Sequence, residues 1–338
     1  MIGVLVLTGF LGSGKTTLLR YLLHQPAFSR TAVIINEFGE IGLDHELIEA
    51  STDSFIELQT GCLCCKIRND LIETLDDMLR RRDQGTVPPF TRTVIETSGL
   101  ADPAPILQTL MTHAGGRLVL EGVVATVDAV NGSATLGREA ICAKQLALAD
   151  RLVLTKSDLA IDDQRALLGR LAALNPAAPV VTAHHGKIDP RVLEGIAFDP
   201  HAKSPAIESP AIAAWLREAA AGNSHVRDRH DPEIQTYAIV RHEPIHAVAL
   251  TLFLEALAEH CGGGLLRLKG IVGIAESPGR PAVIHGVQHV FHPPAWLAHW
   301  PSDDRRTRIV FITRGIPRRW VEVLLEALDA EVRICRVC

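Results

Sequence analysis

Eight residues, Gly9-Phe10-Leu11-Gly12-Ser13-Gly14-Lys15-Thr16, constrain this chain more than any other stretch. They have the spacing G-x-x-x-x-G-K-[ST] of a phosphate-binding loop. The apolar run Val4-Leu5-Val6-Leu7 before them reads as a buried strand, and residues 17–23 after them read as the start of a helix. A strand-to-helix turn is the context the motif requires. Glycines let backbone N–H groups converge on an anion where a Cβ would clash, and the helix N-terminus adds partial positive charge. Lys15 is predicted to reach the outer phosphates and Thr16 to offer its hydroxyl to Mg2+, with Gly9, Gly12, Ser13, Gly14 and Thr17 completing the cradle.

The chain beyond this loop keeps the same rhythm. Short apolar strands at 32–35, 55–58, 93–95, 122–128, 151–154 and 179–182 alternate with helical spacing at 67–79, 106–111, 140–149 and 163–174. That alternation predicts an α/β fold, a P-loop NTPase with a mostly parallel, doubly wound sheet. Ligands of such sheets bind beyond the C-terminal strand ends. From 198 to 232 the chain turns rich in Ala, Pro, Ser, His and charge, which reads as a linker with one helix near 211–221. Strands at 235–240, 265–275, 282–291 and 308–312, with helices at 247–260 and 317–328, predict a smaller α+β C-terminal domain. The expected division is therefore 1–197 for the nucleotide domain, 198–232 for the linker and 233–338 for the second domain.

The 338 residues carry a net charge of −5 with no long basic block, which argues against nucleic acid or an anionic membrane as partner. The apolar run at the start breaks at Gly9, unlike a secretory signal, and no apolar run reaches membrane-spanning length. A cytoplasmic protein is the expectation. Seven cysteines, odd in number and unevenly spread, argue against a disulfide framework.

Two further segments bear on the nucleotide. Glu96 follows Thr93-Val94-Ile95 at a strand end, the place of the acid that senses Mg2+, and Gly99 is placed to give a backbone N–H to a γ-phosphate. Thr155-Lys156-Ser157-Asp158 is similar to the guanine-reading Asn-Lys-x-Asp of GTPases. The Asp158 carboxylate accepts two parallel hydrogen bonds from guanine, which adenine cannot supply, and the Lys156 stem lies along the base. Thr155 in place of Asn removes an amide contact. GTP is thus expected over ATP. His184-His185 follows a strand end near the same edge and could line it.

Cys62, Cys64 and Cys65 fall within four residues, just before a helix. Thiolates are soft ligands suited to Zn2+ or Cu(I), and the helix N-terminus with Lys66 and Arg68 favours their deprotonation. A closed structural zinc site needs four ligands. The fourth position would be open, or filled by Glu37, Glu40, a histidine or water. Inert buried thiols and a redox pair are the competing readings, the second disfavoured because a Cys64–Cys65 disulfide would be strained. Cys335-x-x-Cys338 has ligand spacing too. The pairs His242/His246 and His285/His289 read as surface histidines, the latter on one strand.

Taken together, Gly9 to Thr17, Asn36-Glu37-Phe38-Gly39-Glu40, Gly61-Cys62-Leu63-Cys64-Cys65, Glu96-Thr97-Ser98-Gly99-Leu100-Ala101-Asp102-Pro103 and Thr155 to Asp158 resemble the CobW-type GTPases. These are metallochaperones related to the nickel-insertion GTPases for urease and hydrogenase. The second domain is similar through Leu266-Arg267-Leu268-Lys269-Gly270 and His285-Gly286-Val287-Gln288-His289. The resemblance implies GTP hydrolysis, Zn2+ (or Co2+ in some members) at the three cysteines, and delivery to a client metalloprotein by a monomer or homodimer. A regulatory GTPase with a structural metal site is the alternative. No water-orienting Gln or arginine finger follows Gly99, so intrinsic hydrolysis is expected to be slow.

Overall fold

The computed structural model describes residues 1–36, 57–59, 67–113, 117–160, 164–193, 196, 226–227 and 234–335. Chain contacts divide it into two compact units, Met1–Leu168 with Ala178–Phe198, and Gly169–Ala177 with Asp199–Cys338.

The first unit is built on a seven-stranded sheet in which every pairing is parallel. Its strands are β1 (Ile2–Gly9), β2 (Thr31–Asn36), β3 (Glu57–Gln59), β4 (Arg92–Thr97), β5 (Leu118–Asp128), β6 (Arg151–Thr155) and β7 (Val180–Thr182), in the order β3-β2-β4-β1-β5-β6-β7. The chain winds one way from β1 to β3 and the other way from β4 to β7. Right-handed crossovers then put helices on both faces. Burial agrees: Leu5 and Leu7 of β1 join Val94, Val124 and Val153 in a cluster with Leu18, Leu19 and Leu22. Val4, Val6 and Ile95, which point the other way, are equally buried.

The helices of this unit are α1 (Lys15–Leu23), α2 (Ile67–Asp83), α3 (Ala104–His113), α4 (Gly132–Arg138), α5 (Ala140–Ala147) and α6 (Arg165–Leu174). α6 straddles the boundary between the two units. α4 was not foreseen, being too short to show periodicity. β5 starts at Leu118 rather than at the expected Gly122, because a register shift opposite Val4 and Leu5 absorbs Glu121. The bulged Glu121 accepts a 2.6 Å hydrogen bond from Arg92 Nε.

The second unit holds an antiparallel sheet in the order β12-β11-β10-β14-β9-β8. Its strands are β8 (Val226–Arg227), β9 (Ile234–Arg241), β10 (Leu265–Val272), β11 (Ala282–Val287), β12 (Val290–Phe291), β13 (Ala295–Trp296, paired with β11) and β14 (Thr307–Arg314). The helices α7 (Ala247–Cys261) and α8 (Arg318–Cys335) pack on one face, burying Phe253, Leu257, Val321 and Leu325 against Tyr237, Ile239, Leu268, Ile309 and Phe311. Gly262 stops α7 with a φ of 46° that a side chain would resist. The single strand expected at 282–291 is in fact a hairpin. Gln288 takes a left-handed φ of 55°, Val287 pairs with Val290, and His289 sits in the turn, so His285 and His289 do not share a strand.

One buried charge needs a partner. Arg308 is only 1% exposed, and burial pushes its guanidinium below its ordinary value. Asp304 answers it, bonding Arg308 Nη1 and accepting 2.9 Å bonds from Nε and Nη2 of Arg306. The Arg306 bond, working against burial, lowers the Asp304 carboxyl to about 2. Asp304→Asn is expected to cost about 3 kcal/mol by stranding the Arg308 charge. A carboxyl whose folded pKa is depressed contributes stability above its unfolded value and loses it as pH falls through the folded one. The wild-type contribution should be complete above about pH 4 and fade toward about pH 2. Denaturant midpoints across that range, with the variant's acid limb flattened, check this.

Candidate nucleotide site

Because the sheet is parallel, the C-terminal ends of β1, β4, β5, β6 and β7 lie along one edge. Each of the first four carries a threonine at or near its end, Thr8, Thr97, Thr126 and Thr155, whose hydroxyl is bonded along this edge. Thr97 Oγ1 donates to Thr8 Oγ1 at 2.9 Å, Ser13 Oγ and Thr126 Oγ1 share a hydrogen bond of 2.6 Å, and Thr155 Oγ1 donates to Ser13 O at 2.7 Å and Val127 O at 3.0 Å. All five hydroxyls are at most 3% exposed. They form a polar layer between apolar sheet and loop, and buried hydroxyls left unbonded would be costly.

The loop itself closes over that layer. Ser13 N–H donates to Phe10 O at 3.1 Å, and Gly9, Gly12 and Gly14 take φ values of 138°, 69° and 88°. A Cβ at Gly9 would stand 2.4 Å from Thr126 Oγ1 and 2.6 Å from Thr126 O, so only glycine lets the loop leave the strand here. Gly14 caps α1 in the left-handed conformation with no side chain bonded to the first-turn amides. Those amides and the dipole behind them are suited to an anion. The Lys15 ammonium spans the loop, donating to Gly9 O at 2.9 Å and Phe10 O at 3.1 Å, while 8% exposed. Thr16 Oγ1 donates to Glu96 Oε1 at 2.7 Å across 80 residues of sequence.

Gly99 approaches the loop from β4. A Cβ there would meet Leu11 N at 2.6 Å and Leu11 Cα at 2.7 Å. Its carbonyl, and that of Ala101, accept 3.0 Å bonds from the buried Gln145 Nε2 of α5. Asp102 caps α3 through Ala104 N–H and pairs with Lys144.

At the far end of the edge, Lys156 has a left-handed φ of 54° and its Nζ bonds Asp128 Oδ2 at 2.8 Å. Burial raises the Asp128 carboxyl, but bonds from Lys156, Asn131 and Val130 outweigh it and hold the group below the usual carboxylate range. Asp158 accepts from His185 N–H at 3.2 Å and pairs with His185 Nδ1 at 3.0 Å. The His185 backbone bond, against burial, holds Asp158 low as well.

The residues expected around phosphate (Gly9, Gly12, Ser13, Gly14, Lys15, Thr16, Thr17, Glu96, Gly99) are therefore contiguous, and Thr155 ties the loop of Lys156 and Asp158 to them. Thr155, standing where the GTPase motif has Asn, bonds the Ser13 carbonyl. The hydroxyl layer and Gln145 were missed; the usable signal was threonine or serine ending an apolar strand. Glu37, Glu40, Cys62, Cys64, Cys65 and Cys338 lie outside the described residues. Among the described residues no group of three metal-ligating side chains occurs. Cys142 is buried, Cys335 exposed, and burial pushes the Cys261 thiol up to about 11. His246 is half-buried at the residue before α7, and its Nδ1 pairs with Glu276 at 3.2 Å. No helix among the described residues is long and apolar enough to cross a membrane.

Comparison with known proteins agrees with this geometry. Residues 3–182 match the model of the CobW/HypB/UreG nucleotide-binding domain, and 234–329 that of the cobalamin synthesis protein cobW C-terminal domain. The chain is 34% identical over 329 residues to the zinc chaperone YjiA of Escherichia coli (strain K12), covering 97% of this chain and 98% of that one. It is 30% identical to the zinc chaperone CobW of Sinorhizobium sp, with 91% of each covered. The crystal structure of Zn(II)-bound YjiA GTPase from E. coli superposes with a TM-score of 0.70 at 30% identity, covering 97% of this chain and 98% of that one.

Gly99→Ala is expected to push the β4 loop off Leu11. GTP hydrolysis should fall at least about tenfold while the unfolding free energy drops only about 1–3 kcal/mol. Single-turnover hydrolysis alongside denaturant unfolding measures both.

Proposed function

The chain belongs to the CobW/HypB/UreG family, and on that premise we propose a GTP-hydrolysing metallochaperone that loads Zn2+ at Cys62, Cys64 and Cys65 and passes it to a client metalloprotein. The chain is a GTPase; the cysteine site, the client and the coupling between them are our reading. The observation that carries it is the Thr16–Glu96 bond set beside the Lys15 loop, a donor set that suits a magnesium-bound triphosphate. The working division is 1–197 for the GTPase domain, 198–232 for the linker and 233–338 for the second domain, in the cytoplasm.

In this reading Lys15 holds the outer phosphates, its two carbonyl bonds giving way to phosphate oxygens. The α1 amides from Gly14 to Thr17 hold the inner phosphates. Thr16, bonded to Glu96, would offer its hydroxyl to Mg2+. That ion would supply charge neutralisation on the triphosphate. Gly99 gives its N–H to the γ-phosphate, held in place by Gln145 through the neighbouring carbonyls. Asp158 reads the guanine edge with Lys156 along the base face. No described residue near Gly99 is a candidate water-orienting Gln: Gln145 is buried and already bonded to carbonyls, which fits slow turnover without a partner.

Glu37 and Glu40 stand in sequence between the phosphate loop and the cysteines. We assign them to a switch segment that reports γ-phosphate to the cargo site, either acid being able to complete the donor set. Zn2+ is the cargo the relatives' names favour, with Co2+ a second candidate. Coupling of this kind is reciprocal. Zinc affinity is expected to differ at least about tenfold between protein loaded with GDP and with a non-hydrolysable GTP analogue, a coupling of about 1.4 kcal/mol. Equal affinities would end the gating model. Serine at all three cysteines should remove zinc binding and leave hydrolysis intact; unfolding of that variant would favour a structural metal site.

A further inference from the structure

The turn that follows β7 holds Asp158 more closely than a passing loop would. His184 and Lys187 exchange backbone bonds, Lys187 N–H to His184 O at 2.9 Å and His184 N–H to Lys187 O at 3.1 Å. Between them His185 and Gly186 take left-handed φ values of 52° and 75°. This is a two-residue turn with both central residues at positive φ, a position where Asn and Gly are the usual occupants. Histidine tolerates it, though a non-glycine residue there is uncommon.

The conformation brings two groups of one residue, a backbone N–H and the ring, to one carboxylate. His185 N–H reaches Asp158 Oδ1 at 3.2 Å, and ring Nδ1 reaches Oδ2 at 3.0 Å. An ionised carboxylate has about four acceptor positions, two on each oxygen. The His185 N–H takes one on Oδ1, and the ring, 75% exposed, stands against Oδ2 as an ion pair when protonated. The turn is itself anchored. Ser157 Oγ donates to Ala183 O at 2.9 Å and lies 3.3 Å from His184 Nδ1. Gly186 rests on α1, where an added Cβ would come within 2.8 Å of Thr17 Cγ2. The carboxylate is thereby referenced to the helix that carries the phosphate loop.

We infer that His185 is a positioning residue for base recognition, clamping both oxygens of Asp158 so that guanine meets two acceptors already oriented for its parallel donors. The inference rests on the reading of Asp158 as the guanine acceptor. Without the clamp the carboxylate turns about its terminal bond, and the two-point contact that separates guanine from a base with one donor is lost first.

The test uses the full chain and measures affinities for GDP and IDP by calorimetry; the hypoxanthine of IDP lacks the exocyclic amine. His185→Gly keeps the turn and the backbone N–H but removes the ring. His185→Asn keeps the turn and puts an amide N–H close to the place of Nδ1. The Gly variant is expected to bind GDP about tenfold more weakly and IDP little changed, narrowing the preference, because a hydrogen bond to a charged group carries discrimination of that order. The Asn variant should recover to within about threefold of wild type. Wild-type binding by the Gly variant, an equal loss for both nucleotides, or an Asn variant as weak as Gly would overturn the inference. Asp158→Asn is measured in parallel. If it abolishes the preference while His185→Gly does not, only the role of His185 fails. If it leaves the preference intact, the reading of Asp158 fails and takes the inference with it.

Discussion

The hydrogen bond from the Thr155 hydroxyl to the Ser13 carbonyl is the tie on which the site depends. It joins the end of β6 to the middle of the phosphate loop, and so ties the segment proposed to read the base to the loop proposed to hold phosphate. It belongs to the layer of Thr8, Thr97, Thr126, Ser13 and Thr155 hydroxyls between apolar sheet and glycine loop. Each such bond contributes about 1 kcal/mol net, but deleting one partner strands another buried polar atom. The loop is thereby bonded at several points, which suits the preorganised phosphate site proposed for it.

Charge is handled locally along the same edge. Lys15 is nearly buried between two loop carbonyls, which keep its ammonium bonded inside the loop. Asp128 and Asp158 are each held ionised by donors from a neighbouring loop, Asp128 by Lys156 and Asn131, Asp158 by His185. The left-handed backbone at Lys156 and at His185 is what turns those donors inward. Uncommon backbone at two non-glycine residues, both beside acids on the proposed nucleotide edge, accords with a recognition role there.

The second unit follows different rules. Its sheet is antiparallel, one face is covered by α7 and α8, and its buried polar groups include the pairs Arg308–Asp304 and Arg241–Asp329. Asp329, 2% exposed, also accepts from the His246 N–H at the start of α7. Carboxylates from distant segments thus finish a helix end whose own sequence, Pro244-Ile245-His246, carries no capping side chain.

Local spacing alone sufficed for the phosphate-loop motif, the parallel α/β plan and the helices of the second domain, and it nominated Lys15, Thr16, Glu96, Gly99, Lys156 and Asp158 as site residues, because glycine intervals, apolar runs and 3.6-residue periods are all local. It also displayed the Cys62, Cys64 and Cys65 cluster, which stands on spacing alone. Tertiary structure decided the rest. The hairpin at Gln288 hides inside a continuous β-like run, since one left-handed residue leaves no periodic trace. Thr8, Thr97, Thr126, Gln145 and His185 acquire their places from partners up to 118 residues away, as in Thr8 with Thr126, and no local pattern records which strand ends the sheet brings side by side.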